Sequence, residues 1–336
     1  MPSLSPAEIA ASPIWLAHSL DMVSNRVTLV RMREEDYRVA SFLDQRLLGA
    51  QIEKREIGWA ELAATFTTEA RRDAQYIFHI GHVGSTLISR LLGELSGVFA
   101  LREPLLLRSF AEMKPDASEA RMPTLQALLS RTFTPAQRAL VKATSFTSEM
   151  ADRILPAGSR ALLLYADPRR YIEGILAGDN SRRELRMLAQ SRAQRIAGRI
   201  PALATPDAAR SEARLAAQAW ACEMTSLERT AATVPADSVL WSDFDKALAD
   251  PERMLGTFAD FFGITAAPDT LRAIATGPLL GRYSKALEYE YSPALRRDLL
   301  AQTGREHNAA IGEALGWLAS AARGAPLLET ALNRSR

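Results

Sequence analysis

The chain has 336 residues, 47% of them hydrophobic, enough to bury a substantial core in one large domain or two modest ones. Its 41 Lys and Arg against 39 Asp and Glu leave a net charge of +2, too balanced to mark a nucleic-acid partner. A single cysteine, Cys222, excludes an internal disulfide framework and suits a reducing compartment, and the four histidines show no metal-ligand spacing.

Residues 1 to about 72 are expected to form an N-terminal extension, with a short strand at NRVTLVRM and a helix at EDYRVASFLDQRLL. The opening stretch MPSLSPAEIAASPIWLAHSLDM has no basic n-region and no apolar run of signal-peptide length. No later stretch approaches the roughly 20 apolar residues needed to span a bilayer. The expectation is a soluble, cytoplasmic protein with no membrane partner.

From residue 73 the pattern changes. YIFHI, ALVKATS, RALLLYADP and SVLWSDF are apolar runs separated by helical stretches, and VFALREP is a short additional strand candidate. Such alternation implies crossover connections and an α/β fold whose central parallel sheet is covered on both faces. The helices are legible too. In ARLAAQAWACEMTSLERTAAT, Ala216, Trp220, Met224, Leu227 and Ala231 share one face, which predicts packing on the core. In LADPERMLGTFADFFGIT, Asp250 is a candidate N-cap, Pro251 takes the first helical position and Gly263 closes the helix. The arginines at 182, 183, 186, 192, 195 and 199 read as a solvated helix face. Trp241 is expected in the core, and residues 323–336 are set apart as a C-terminal tail.

One stretch carries chemistry. YIFHIGHVGSTLISRLL, residues 76 to 92, runs from a strand through Gly81 and Gly84 into Ser85, Thr86 and a helix. A glycine-rich turn into a helix aims main-chain N–H groups and the positive end of the helix dipole at one point, where an anion is favoured. The nucleotide-hydrolase pattern G-x-x-x-x-G-K-[ST] is excluded, because Gly84 stands where its lysine belongs and the loop is shorter.

The loop resembles the 5'-phosphosulfate loop P-[KR]-S-G-T-T of the sulfotransferases, with His82 in place of the Lys or Arg and Gly84, Ser85 and Thr86 on Gly-Thr-Thr. Further segments are similar in the same order: ALREPLLLR, LVKATSF, LLLYADPRRYIEGIL, VLWSDFDKALADPERMLGTFADFFGI and GPLLGRYSKA. The resemblance spans roughly residues 74 to 320. It implies a three-layer α/β/α fold of the P-loop nucleoside triphosphate hydrolase type over residues 73–322, with 3'-phosphoadenosine 5'-phosphosulfate as donor and adenosine 3',5'-bisphosphate as product. It also implies a small-molecule or peptide acceptor and no metal. Gly81, His82, Val83, Gly84, Ser85, Thr86, Arg169 and Lys285 are the implied nucleotide contacts, and Glu103, Lys142 and His82 the implied catalytic groups. The sequence departs from the family where Ala166 and Gly174 replace an arginine and a serine of the 3'-phosphate segment. Arg169, Arg170 or the arginine run at 182 to 199 is the expected source of compensating charge.

In this scheme Glu103 is the base for the acceptor hydroxyl and Lys142 neutralises the sulfuryl oxygens. The bland alternatives are a surface ion pair of Glu103 with Arg102 and a snorkelling surface lysine. Asp167, next to Pro168, is expected to cap a helix. Two other functions stay open: a small-molecule kinase using ATP, and a regulatory protein that binds nucleotide without turnover.

Overall fold

The computed structural model describes residues 6–49, 52–204, 210–282 and 292–336. Its centre is a five-stranded, wholly parallel sheet. Three antiparallel strands precede it: β1 (Trp15–Asp21), β2 (Arg26–Arg31) and β3 (Lys54–Gly58). Then come β4 (Gln75–His79), β5 (Val98–Arg102), β6 (Arg138–Lys142), β7 (Ala161–Tyr165) and β8 (Val239–Asp243), in the spatial order β5-β6-β4-β7-β8. The register pairs Ile77 and Arg102 with Lys142, His79 with Leu164, and Tyr165 with Asp243. All five C-terminal strand ends therefore lie along one edge, with β4 in the middle, and the loop after β4 opens at the point where strand order reverses.

The α/β class with a central parallel sheet flanked by helices is thus as expected, because β4 and β7 are buried at every position and can be covered only from both faces. Asp250 caps the helix Pro251–Phe262 through the Arg253 N–H at 3.1 Å, and Gly263 closes it at φ +68°. Asp167 caps Pro168–Leu176 through the N–H groups of Arg169 and Arg170. The helix Glu212–Thr233 is buried around most of its circumference, not on one face. Trp241 is only half-buried, lying on edge strand β8 beneath Arg334.

Two further expectations fail. The helix expected over EDYRVASFLDQRLL stops at Val39, and the chain continues irregularly to a turn at Gln45–Leu47. The arginine run is a solvated face only in its first half, where Arg183 and Arg186 are exposed; Arg195 pairs bidentately with buried Glu223 at 2.8 Å and Arg199 with Glu149 at 2.7 Å, while Arg192 is buried beside Glu223. Two carboxylates on neighbouring elements draw the C-terminal half of the helix Asp179–Ile196 inward.

The N-terminal strands share one hydrophobic core with the sheet. Buried Arg131 ties them down, donating to the carbonyls of Ile9 at 2.6 Å and of Ser12 and Trp15 at 3.1 Å. Among the described residues no helix is long and apolar enough to cross a membrane.

Candidate functional site

A cavity of about 610 Å³ opens at the C-terminal edge of the sheet, a size that suits a nucleotide or other small ligand. Its walls come from the loop after β4, the residues after β5 and β6, the helix Pro293–Glu306 and the irregular segment around Phe42.

The loop turns through three left-handed residues, Gly81 at φ +83°, His82 at +55° and Gly84 at +62°. It is pinned from below by His79, whose Nδ1 accepts from the Gly81 N–H at 3.0 Å while Nε2 lies 2.9 Å from the Ala143 carbonyl. One neutral tautomer satisfies both contacts, with the proton on Nε2. The helix Ser85–Leu92 then begins with its first main-chain N–H groups directed past its own end. Gly84 is required twice over: for its left-handed φ, and because a Cβ there would lie 2.1 Å from the Phe244 ring.

The hydroxyls of Thr86 and Thr144 are buried and have no hydrogen-bond partner among the described residues, and both residues line the cavity. An orphaned buried hydroxyl is unfavourable unless a ligand completes it. The residues of the loop therefore fit an oxyanion at the helix N-terminus.

Lys142 and Glu103, placed on separate segments by the sequence, meet here. Lys142 Nζ donates to Glu103 Oε1; the lysine side chain is 1% exposed and the glutamate 17%. The surface alternatives for both are thereby removed, since Arg102 faces away from Glu103 and binds main-chain carbonyls. His82 lines the same cavity, with Nδ1 3.3 Å from Ser181 Oγ and Nε2 3.9 Å from Glu184.

The structure brings Gly81, His82, Gly84, Ser85, Thr86, Glu103 and Lys142 around one space. Val83 is different, because its side chain is buried in the core. Arg169 also stays outside the cavity wall: half-exposed, it reaches Asn308 at 3.4 Å and Glu173 at 3.9 Å, and Arg170 pairs with Glu173. Lys285 lies outside the described residues. Ala166 is buried, its carbonyl accepting from Trp220 Nε1 at 2.9 Å, while Gly174 does line the cavity and faces Leu300.

Besides Lys142, charge comes from arginines the sequence did not single out. Arg46, Arg108, Lys142, Arg282 and Arg296 line the cavity against Asp44, Glu103 and Glu184, so the lining carries a positive excess that favours an anionic ligand. Arg296 is the best placed. Its Nε donates to Asp245 at 3.0 Å, its guanidinium lies over the Phe244 ring that packs on Gly84, and no partner for its Nη atoms is found among the described residues. Its distance along the chain from the loop hid it, although its position in a helix following the late-loop motif was a usable signal. Among the described residues no group of three or more His, Cys, Asp or Glu is placed to hold a metal.

Neither a protein-family model nor a curated protein matches the chain. Solved structures do. A sulfotransferase domain from the curacin biosynthetic pathway is 16% identical at a TM-score of 0.44, the match covering 68% of this chain and 89% of that one. The sulfotransferase domain of the Synechococcus PCC 7002 olefin synthase is 15% identical at 0.39, covering 72% and 98%. A mouse sulfotransferase complexed with PAP is 11% identical at 0.39, covering 78% and 89%. At these values the likeness is one of chain path alone.

Proposed function

We propose that the protein transfers a sulfuryl group from 3'-phosphoadenosine 5'-phosphosulfate to a hydroxyl or amine of a small-molecule or peptide acceptor. The observation that carries this reading is the contact of Glu103 with buried Lys142 in a cavity that also holds a helix N-terminus and a buried Thr86 hydroxyl with no partner among the described residues. In the proposed step the acceptor oxygen bonds to sulfur as the bond from sulfur to the donor's phosphate oxygen breaks. The leaving phosphate keeps the electron pair. The acceptor proton passes to the Glu103 carboxylate, and the Lys142 ammonium holds that carboxylate in place while its charge opposes the negative charge gathering on the transferred group. Loop N–H groups and the Thr86 hydroxyl would hold the donor's oxyanions.

Arg296 would supply the charge that Ala166, Gly174 and the lysine-free loop do not. Asp245 fixes its Nε and aims the guanidinium, and a fork so held suits a phosphate. Arg296→Gln is expected to weaken adenosine 3',5'-bisphosphate binding about 10- to 100-fold, the range for losing a hydrogen bond to a charged group. Calorimetric titration checks this; affinity within twofold of the parent protein would place the anion elsewhere. The same titration with Mg-ATP and AMP separates the functions: tighter binding of Mg-ATP than of the bisphosphate would favour a kinase.

A further inference from the structure

Two buried arginines bind the last turn of the helix Glu34–Val39 and the start of the irregular segment after it. Arg102, 3% exposed, donates from Nη2 to the carbonyls of Tyr37 and Arg38, the latter at 2.8 Å, and from Nε to that of Ala40 at 2.8 Å. Arg90, from the helix that follows the loop, donates from Nη2 to the Val39 carbonyl at 3.2 Å and to Ser41 Oγ at 2.8 Å. Burial disfavours a guanidinium and brings the Arg102 pKa down to about 10. A buried arginine bonded to successive main-chain carbonyls fixes a backbone path.

That path leads to Glu103. The Leu43 N–H donates to the Arg102 carbonyl at 2.7 Å, and the Leu105 N–H donates to the Leu43 carbonyl at 3.0 Å, so the segment brackets Glu103 on both sides. Glu103 itself donates its N–H to the Lys142 carbonyl at 2.7 Å. Its φ of +53° lies in the left-handed region, which a glutamate keeps only where its surroundings impose it. The same segment puts Phe42, Asp44 and Arg46 into the cavity wall. The Phe42 ring centroid lies 5.7 Å from Lys142 Nζ, and Arg46, tied to Asp44, covers that ring at 3.5 Å. Glu103 and this wall line the same cavity.

We infer that the strap formed by residues 37–46 is the acceptor-side wall of the site, and that Arg102 is a positioning residue that sets Glu103 through it. The inference rests on the transfer reaction proposed above for the role of Glu103. No catalytic group is assigned to the strap itself.

The experiment uses the full chain and two variants, Arg102→Met and Arg102→Lys. Amide hydrogen exchange is followed at Leu43, Glu103 and Leu105, affinity for adenosine 3',5'-bisphosphate is measured by calorimetry, and turnover is measured with the phosphosulfate donor and 4-nitrophenol as probe acceptor. In Arg102→Met the three amides are expected to exchange at least tenfold faster, kcat to fall 10- to 100-fold and nucleotide affinity to stay within twofold, with Arg102→Lys between the two. Should Arg102→Met not fold, Arg102→Lys alone shows the same split of kcat from binding. Unchanged exchange at the three amides, or faster exchange with unchanged kcat, overturns the inference. If the parent protein does not turn over, the transfer reading fails at this probe, and the exchange data still decide whether Arg102 sets Glu103.

Discussion

Glu103→Gln is expected to lower kcat about 100- to 10,000-fold while affinity for adenosine 3',5'-bisphosphate stays within twofold. Glutamine keeps the length and an acceptor oxygen for Lys142, so the site keeps its shape and loses its base. The neighbour makes the variant informative about stability as well. Lys142 is buried, and breaking a buried pair outright costs about 3–5 kcal/mol. Because the amide still accepts a hydrogen bond, a loss at or below the low end is expected. Adding Lys142→Met to Glu103→Gln is expected to restore most of the stability and none of the turnover. Thermal unfolding and single-turnover rates on the parent protein and the two variants separate the two effects. Near-normal kcat in Glu103→Gln would return the pair to a purely structural role.

Gly84→Val is expected to destabilise the fold by about 2–5 kcal/mol. A left-handed backbone costs a side-chain-bearing residue about 1–2 kcal/mol, and forcing a Cβ into the Phe244 ring, 2.1 Å away, adds the roughly 1–3 kcal/mol of overpacking. Loss of nucleotide binding in this variant would therefore follow from loss of the fold, so bulky replacement of Gly84 is a poor probe of the anion site. A double-mutant cycle checks the cause. Gly84→Ala with Phe244→Leu is expected to be at least about 1 kcal/mol more stable than the sum of the two single variants, since the contact that clashes is shared. Additive losses would assign the whole effect to φ.

These results bear on what the sequence made legible. The five parallel strands were readable because each is a short apolar run between helical stretches, and parallel strands buried on both faces must look that way. The loop was readable because a left-handed turn into a helix requires glycine at Gly84. Strand β3 was not, since only Ile57 of its five residues is buried and no alternation marks it. The pairing of Arg195 and Arg199 was hidden because their partners, Glu149 and Glu223, lie on other elements. Composition sees an arginine run and tertiary pairing decides its side. The same holds at the site. The segments of Glu103 and Lys142 were each identifiable, but their contact is set by the β5 and β6 register, which pairs Arg102 with Lys142 and leaves Glu103 one residue beyond. Arg102, adjacent to Glu103 in sequence, looked like its ion-pair partner. Glu103 leaves the strand with a left-handed φ of +53°, while Arg102 binds main-chain carbonyls of the strap.

The most direct measurement is conversion of 3'-phosphoadenosine 5'-phosphosulfate to adenosine 3',5'-bisphosphate, followed by mass spectrometry in the presence of a pooled panel of phenols, aliphatic alcohols and amines. Parent protein and Glu103→Gln are run side by side, with Mg-ATP as the alternative donor. Sulfuryl transfer predicts bisphosphate formed in step with a sulfated acceptor by the parent protein, at least 100-fold slower formation by Glu103→Gln, and no phosphorylated acceptor with Mg-ATP. A phosphorylated acceptor from Mg-ATP without any sulfated product, or equal rates from both proteins, would contradict it.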